Sequence, residues 1–171
     1  MKRLTLLIAV ALFNAGCVKP LTPTKPPVSA SLSSSNMQER LAKPRSNTIV
    51  RAFLPTAEGD KKVAKEVAGA ECTLRSDEIS AQVTTPQAVV LPSFKQKAAF
   101  ENRGVPGAIV VDCEYQGRTG RSLLTVQEKK VAVVQGAGIA GMLIGAAVSS
   151  AVASTTPWAY PGEAHVTLVQ Q

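Results

Sequence analysis

The sequence predicts a mainly β protein: a small immunoglobulin-like β-sandwich or an open barrel, closed by one disulfide, with one apolar helix added. The β part is predicted by short runs rich in Val, Ile, Leu and Thr, which Pro, Gly, Asn and Asp residues separate. Two cysteines, Cys72 and Cys113, fall within these runs. The helix is predicted by residues 131–156, which contain no charged residue.

The first residues predict export. A basic pair at residues 2–3 precedes an apolar run at residues 4–13, which has signal-peptide length and is shorter than the ~20 residues of a membrane span. The run leads into Ala-Gly-Cys17, which resembles the lipobox of bacterial lipoproteins. Because Asn14 stands where that family usually has leucine, ordinary signal-peptidase cleavage after Cys17 is the alternative.

The lipobox resemblance implies a lipid anchor. Residues 1–16 would be a removed signal peptide, and Cys17 would be acylated and become the N-terminus. In that family an aspartate after the cysteine favours the inner membrane, so Val18 implies the outer membrane. We therefore expect a lipid-anchored outer-membrane protein on the periplasmic face or at the cell surface.

Residues 17–47 are predicted to form a disordered basic tether. The segment is rich in Pro, Ser and Thr and poor in large apolar residues, so it buries too little surface to offset the entropy of ordering. Two interpretations stay open for its charge, namely attraction to an anionic envelope surface and a solvated spacer with no specific partner. Residues 18–47 have a net charge of +4, from Lys19, Lys25, Arg40, Lys43 and Arg45 against Glu39.

The net charge of +7 does not indicate a nucleic-acid-binding protein. Residues 48–171 hold twelve basic and eleven acidic residues, so the predicted folded part is almost neutral. The aromatic residues are four Phe, two Tyr and one Trp, too few for base-stacking platforms. The basic character belongs to the segment next to the predicted anchor.

The β-domain is expected at residues 48–130. Its first strand covers residues 47–54 and is ended by Pro55, and a polar turn follows at residues 57–62. A final strand is expected after the apolar stretch. The later strands are predicted at residues 63–75, 78–85, 87–92, 107–115, 122–128 and 164–169.

The cysteine count favours one disulfide. The chain has three cysteines, an awkward number for an exported protein. If Cys17 carries lipid, Cys72 and Cys113 remain, and an oxidising periplasm would join them. The bond would close a loop of about 40 residues and stabilise the fold by up to about 4 kcal/mol. Two buried free thiols are the alternative.

Several short motifs follow one another along residues 66–169. They are Cys72-Thr73-Leu74, Thr84-Thr85-Pro86, Val89-Val90-Leu91-Pro92, Val110-Val111-Asp112-Cys113, Gly117, Gly136 to Ala153, Tyr160-Pro161 and Val166-Thr167-Leu168. In this order they resemble small Gram-negative envelope lipoproteins that have a PEGA-like β-domain, a glycine-rich apolar stretch and a C-terminal Tyr-Pro strand. The resemblance implies a PEGA-like sandwich, a unit that serves as a surface-binding or spacer module, and it implies no chemistry.

Residues 131–156 are predicted to form an apolar helix long enough for one membrane span. Trp158 and Tyr160 follow it as interfacial aromatics would, and residues 157–171 are expected to turn and return as a strand to the β-domain. Three arrangements stay open: a membrane span, docking on the β-domain or membrane surface, and self-association. Small residues form one helical stripe that permits close packing as a glycine zipper, at Ala137, Gly141, Gly145, Ser149 and Ala153.

No catalytic, metal or cofactor site is expected. His165 is the only histidine, so nothing supports a Ser-His-Asp or Cys-His arrangement, and we predict a strand-surface position for it. Asp112 and Glu114 alternate onto one strand face and are interpreted as solvent-facing charges. A Gly-x-Gly-x-x-Gly pattern at residues 136–141 lacks the βαβ context of a dinucleotide site.

The predicted function is an outer-membrane-anchored lipoprotein that acts as a non-enzymatic structural or binding component of the cell envelope. Two alternatives remain: a membrane-active protein whose glycine-zipper helices oligomerise in a bilayer, and an accessory lipoprotein of an envelope-spanning assembly. The expected partners are the membrane, an anionic envelope surface and a second copy of the chain. No nucleic acid and no cofactor are expected.

Overall fold

Alternating burial defines the strands, since successive side chains of a strand point to opposite faces. In Ile79–Thr84, residues 79, 81 and 83 are buried and residues 80 and 82 are exposed.

The computed structural model describes residues 19–58, 61–96, 104–126 and 157–170. A 3-10 helix spans Ser35–Arg40. The strands are β1 (Val28–Ser29), β2 (Ser31–Leu32), β3 (Leu41–Glu58), β4 (Lys61–Val67), β5 (Glu71–Arg75), β6 (Ile79–Thr84), β7 (Gln87–Phe94), β8 (Ile109–Tyr115), β9 (Arg118–Leu124), β10 (Glu163–Thr167) and β11 (Val169–Gln170).

The strands form two sheets that pack against each other. Sheet A has the order β1-β7-β3-β10, and β4 also pairs with β3. Sheet B has the order β11-β9-β8-β5-β6-β2. The pairs β1–β7 and β3–β10 are parallel, and the remaining described pairs are antiparallel. The predicted mainly β fold is confirmed as a two-sheet arrangement.

The core lies between the sheets and draws on both of them. Each strand sends alternate aliphatic side chains inward, which is why the short Val-, Ile- and Leu-rich runs of the sequence become strands. The largest fully buried side chains of sheet A include Val50, Val89, Leu91, Phe94 and Val166, and those of sheet B include Leu74, Ile79, Ile109 and Val111.

The predicted disulfide is present. Cys72 of β5 and Cys113 of β8 stand directly opposite each other in sheet B, and their sulfur atoms are bonded. Both residues belong to the core, at 2% and 3% exposure. The bond therefore joins two central strands of sheet B from their inner side.

The structure corrects the predicted disordered tether at residues 17–47 in its second half. β1 adds to β7 at one edge of sheet A, β2 adds to β6 at one edge of sheet B, and residues 41–47 belong to β3. The reason is an alternation inside the polar segment: Val28, Ala30 and Leu32 are partly buried against the core. The average composition of the segment does not reveal this alternation. The edges of the two sheets provide hydrogen-bond partners for the backbone groups of β1 and β2.

The prediction that Pro55 ends the first strand is wrong, because β3 continues to residue 58. Residues 54–58 have their described pairing partners on β4, so Pro55 occupies an edge where its missing N–H removes no ladder hydrogen bond. The predicted run at residues 63–75 divides into β4 and β5. Gly69 has a φ of 90° and lets the chain pass there from sheet A to sheet B.

The C-terminal segment returns to the sandwich, where β10 pairs with β3 and β11 pairs with β9. Trp158 forms a bridge with Phe94, and the Tyr160 hydroxyl donates to the carbonyl oxygen of Gly107 at 3.1 Å. The two aromatic residues are 6% and 4% exposed. Their interpretation as interfacial aromatics is therefore wrong: they fill the core, and the tyrosine hydroxyl keeps a hydrogen-bond partner there.

The predicted glycine-zipper helix at residues 131–156 lies outside the described residues. Among the residues that the structure describes, none belongs to a helix with the length and apolarity of a membrane span. Val126 packs against the core on one side of this stretch, and Trp158 belongs to the core on the other. Both flanks of the stretch therefore start from the same sandwich.

Candidate functional site on the outer face of sheet A

Arg51 is the centre of a charge cluster on the outer face of sheet A, the face turned away from the core. Its neighbours in β3, Val50 and Ala52, are fully buried, so the alternation of the strand sends Arg51 to the opposite side. The parallel pairing with β10 places His165 directly beside Arg51, and Glu163 on the same face two residues earlier. Strand register therefore assembles the cluster.

Arg51 is only 6% exposed, because the N-terminal segment crosses it. Its Nη1 donates to the carbonyl oxygen of Leu21 at 2.9 Å and to Glu66 Oε1 at 2.7 Å. Glu66 Oε2 in turn accepts the backbone N–H of Leu21 at 2.8 Å. The ion pair thus holds both backbone polar groups of Leu21, as a neighbouring strand would. We call Arg51, Glu66 and the Leu21 backbone the Leu21 clamp.

The Leu21 clamp is almost dehydrated, with side-chain exposures of 7% for Arg51 and 6% for Glu66. Burial acts to lower the pKa of Arg51, but the hydrogen bond and negative charge of Glu66, followed by those of Glu163, raise it overall. Arg51 Nε lies 3.2 Å from Glu163 Oε1. Removing one partner of a buried ion pair leaves the charge of the other partner uncompensated. Loss of either Arg51 or Glu66 is therefore expected to disrupt the whole Leu21 clamp.

His165 extends the cluster to solvent. Its Nε2 lies 3.0 Å from Glu163 Oε2, and its ring meets Phe53 edge-on with the ring centroids 5.1 Å apart. The hydrogen bond with His165, followed by that with Arg51, lowers the pKa of Glu163 below its usual value. The His165 side chain is 57% exposed, which agrees with the predicted strand-surface position.

A bulge in β3 borders an apolar depression. Regular pairing with β7 stops between Ala42 and Ser46, where residues 43–45 stand opposite the single residue Pro92. Proline has no N–H to donate, so an interrupted ladder suits this position. The depression has a volume of about 370 Å³. Its lining, which we call the basic pocket, consists of Leu41, Ala42, Lys43, Arg45, Pro92 and Lys95.

The cations of the basic pocket, Lys43, Arg45 and Lys95, are exposed, and no described carboxylate forms an ion pair with them. Lys95 donates from Nζ to the backbone oxygen of Glu39 at 3.1 Å, a partner that carries no net charge. The nearby Arg40 is already engaged, since it lies over the Phe94 ring at 5.5 Å. The pocket therefore combines an apolar floor with three positive charges that no described carboxylate neutralises.

The outer face of sheet B carries a different polar group. Asp112 lies between Arg121 at 2.6 Å and Arg75 at 3.1 Å. The hydrogen bond from Arg121, followed by that from Arg75, lowers the pKa of Asp112. Both arginine side chains are exposed, so solvent screens these ion pairs and they contribute little to stability. Within the described part of the chain, no three His, Cys, Asp or Glu residues are grouped to hold a metal ion.

Sequence reasoning located some of these residues and missed others. Cys72 and Cys113 are brought together as predicted. The clamp residues Arg51 and Glu66 were not identified, although a charged residue in the middle of an apolar strand signals a partner across its outer face. The remaining predicted site residues lie outside the described residues: Cys17, Ala137, Gly141, Gly145, Ser149 and Ala153.

Comparison of the chain with protein-family models, curated proteins and solved structures finds no match. The resemblance to PEGA-like envelope lipoproteins therefore stays a prediction.

Proposed function

We propose that the chain is an outer-membrane-anchored lipoprotein that acts as a non-enzymatic structural or binding component of the cell envelope. The observation that carries this proposal is the Cys72–Cys113 bond. Disulfides form and persist in oxidising compartments, which include the periplasm. Of three cysteines, the bond leaves Cys17 without a partner in the chain, at the end of a signal-like run where acylation would use it.

The Leu21 clamp supports a short connection between the anchor and the sandwich. Leu21 is four residues from Cys17, so the intervening chain spans at most about 14 Å. A lipid on Cys17 would hold the outer face of sheet A close to the membrane, whereas a disordered tether through residue 47 would leave the orientation free. The sandwich then acts as a membrane-apposed module with one defined face.

Labelling with a fatty-acid analogue tests the anchor. The wild-type chain, expressed in a Gram-negative host, is expected to take up the label and to fractionate with the outer membrane. Cys17→Ser is expected to lose the label, because serine provides no thiol for acylation. In-gel detection of the label on the purified chain measures the difference.

A matched control uses the other two cysteines. The double variant Cys72→Ala with Cys113→Ala should keep the label, since the lipidated residue is still present. Equal labelling of the wild type and Cys17→Ser would contradict an anchor at Cys17, and a wild type without label would favour ordinary cleavage after Cys17.

The second candidate function is a membrane-active protein that oligomerises through residues 131–156. The observation that favours it is the uncharged stretch with a small residue at every fourth position. Because both flanks of the stretch belong to one sandwich, a single crossing of the membrane would separate β10 from its partner β3. Close packing against a second copy or against the membrane surface fits this chain path better than a single span.

Replacing Gly141 and Gly145 by leucine tests close packing. Leucine favours a helix over glycine by about 1 kcal/mol per site and adds apolar surface, so propensity alone predicts tighter assembly. Close packing predicts the opposite, because leucine blocks the stripe. We expect chemical cross-linking of the membrane-reconstituted chain to show fewer oligomers in the double variant.

Leucine at Gly136 and Ala147, which would lie on the opposite side of a helix from the stripe, provides the matched control and should leave the cross-linked oligomers unchanged. If the on-stripe variant also keeps its oligomers, the four-residue spacing does not mediate association. Protease accessibility of residues 157–171 then reports whether the stretch docks on its own sandwich instead.

A further inference from the structure

We infer that the basic pocket binds the phosphate headgroup of an anionic phospholipid, with part of the lipid hydrocarbon against the apolar floor. The inference deepens the proposed function and takes from it the orientation of the outer face of sheet A. Two of the three cations, Lys43 and Arg45, belong to the segment that the sequence predicts to be a diffuse basic tether.

The shape and lining of the pocket indicate an amphiphile. Its volume of about 370 Å³ lies within the range of ~300–1,000 Å³ that is typical of small-molecule sites. Leu41, Ala42 and Pro92 provide apolar surface inside the ring of cations. A free phosphate ion gains nothing from that surface, whereas a lipid buries hydrocarbon against it.

The cations come together from two strands. Lys43 and Arg45 lie in the β3 bulge, and Lys95 follows the end of β7, so the β3–β7 pairing brings them to one rim. The Arg45 guanidinium can meet a phosphate with two parallel N–H donors, and the two lysines add point charges. The described carboxylates leave all three charges unneutralised, which makes an anionic ligand the complementary one.

The pocket and the Leu21 clamp lie along the same strand, since Lys43, Arg45 and Arg51 all belong to β3. The clamp leads through four residues to the predicted lipid on Cys17. The anchor would therefore bring the pocket to the headgroup layer, where phospholipid phosphates are concentrated.

Vesicle binding tests the inference on the purified full chain carrying Cys17→Ser, which removes any acyl group. The probe is vesicles of phosphatidylcholine with or without phosphatidylglycerol, in about 0.1 M salt, and co-sedimentation measures affinity. The test variant is the triple substitution K43Q/R45Q/K95Q. The matched control is K61Q/K62Q/K65Q, which removes the same number of positive charges from β4, a strand that does not line the pocket.

We expect the pocket variant to bind phosphatidylglycerol vesicles about 100-fold more weakly, since each basic residue at an anionic membrane contributes about fivefold in affinity. The β4 variant should stay within about fivefold of the parent, because charges beyond a Debye length of ~10 Å are screened. Binding to pure phosphatidylcholine, which the apolar segments of the chain can support, should be equal in all three proteins.

Equal losses of vesicle affinity in the two triple variants would contradict lipid binding at the basic pocket and would indicate a diffuse attraction between the net charge of the protein and the membrane. Full affinity in the pocket variant would contradict it as well. Displacement of the vesicles by millimolar inorganic phosphate would overturn the lipid assignment in favour of a free-phosphate site. Because the assay uses unacylated protein, failure of Cys17 labelling would contradict the anchor and leave this result standing.

Discussion

Loss of the Cys72–Cys113 bond is expected to lower the free energy of unfolding by about 4 kcal/mol. The two cysteines are 41 residues apart in the sequence, and a cross-link over a loop of that size restricts the unfolded chain by about this amount in the chain-entropy model. The variant Cys72→Ala with Cys113→Ala should therefore unfold about 10 °C lower. Fluorescence of Trp158, the only tryptophan and a buried one, can follow the transition.

Reductant separates the bond from the change in side-chain volume. The wild type with reductant should unfold near the double variant, and the double variant should be insensitive to reductant. A wild type that reductant does not affect, with both thiols open to alkylation, would show that the cysteines are free in the protein as expressed. That outcome would also remove the observation on which the proposed compartment depends.

Gly120→Ala is expected to destabilise the sandwich by about 3 kcal/mol, the upper end of the usual cost of overpacking a core. Gly120 of β9 faces β10, and a Cβ atom there would overlap the carbonyl oxygen of Thr167 and lie 2.9 Å from Val166 Cγ1. Thr167 belongs to β10, which is held by its pairing with β3, so its backbone carbonyl cannot rotate away as a side chain can. Urea unfolding should show a lower midpoint with an unchanged slope.

Gly162→Ala is the matched control. A Cβ atom at Gly162 meets nothing within 4 Å, and its φ lies outside the left-handed region. We expect no loss of stability there, and a gain of about 0.4–1 kcal/mol from the reduced entropy of the unfolded chain. Similar midpoints for the two alanine variants would mean that β9 and β10 approach less closely than the structure shows.

The parts of the fold that depend on local pattern could be predicted from the sequence. Most strands follow runs of β-branched residues, and the disulfide follows from two cysteines in such runs. The predicted strand end at Pro55 is wrong because a proline interrupts a strand only where its missing N–H would have bonded to a neighbouring strand. Whether such a neighbour is present is decided by the tertiary structure. Trp158 and Tyr160 were assigned to a membrane interface because their proximity to an apolar stretch does not reveal the core that receives them.

The candidate site was less predictable because it forms between distant segments. Leu21, Arg51 and Glu66 meet only after β3 pairs with β4 and the N-terminal segment crosses the sheet. The charges of Lys43 and Arg45 were identified, but as part of a tether. Lys95 joins them through strand pairing, for which the sequence carries no local signal.

The parallel pairing of β10 with β3 also constrains how the protein can fold. The Thr48 hydroxyl donates to the carbonyl oxygen of Pro161, 113 residues later in the sequence. The edge of β3 that pairs with β10 therefore has no partner strand until β10 has been synthesised. Until β10 is in place, that edge is open, and open edges invite pairing with other chains. Contacts this distant in sequence also make folding slow. Sheet A is therefore complete only after a strand that is distant in sequence has joined it, and a chain that lacked β10 would expose the edge of β3 to aggregation.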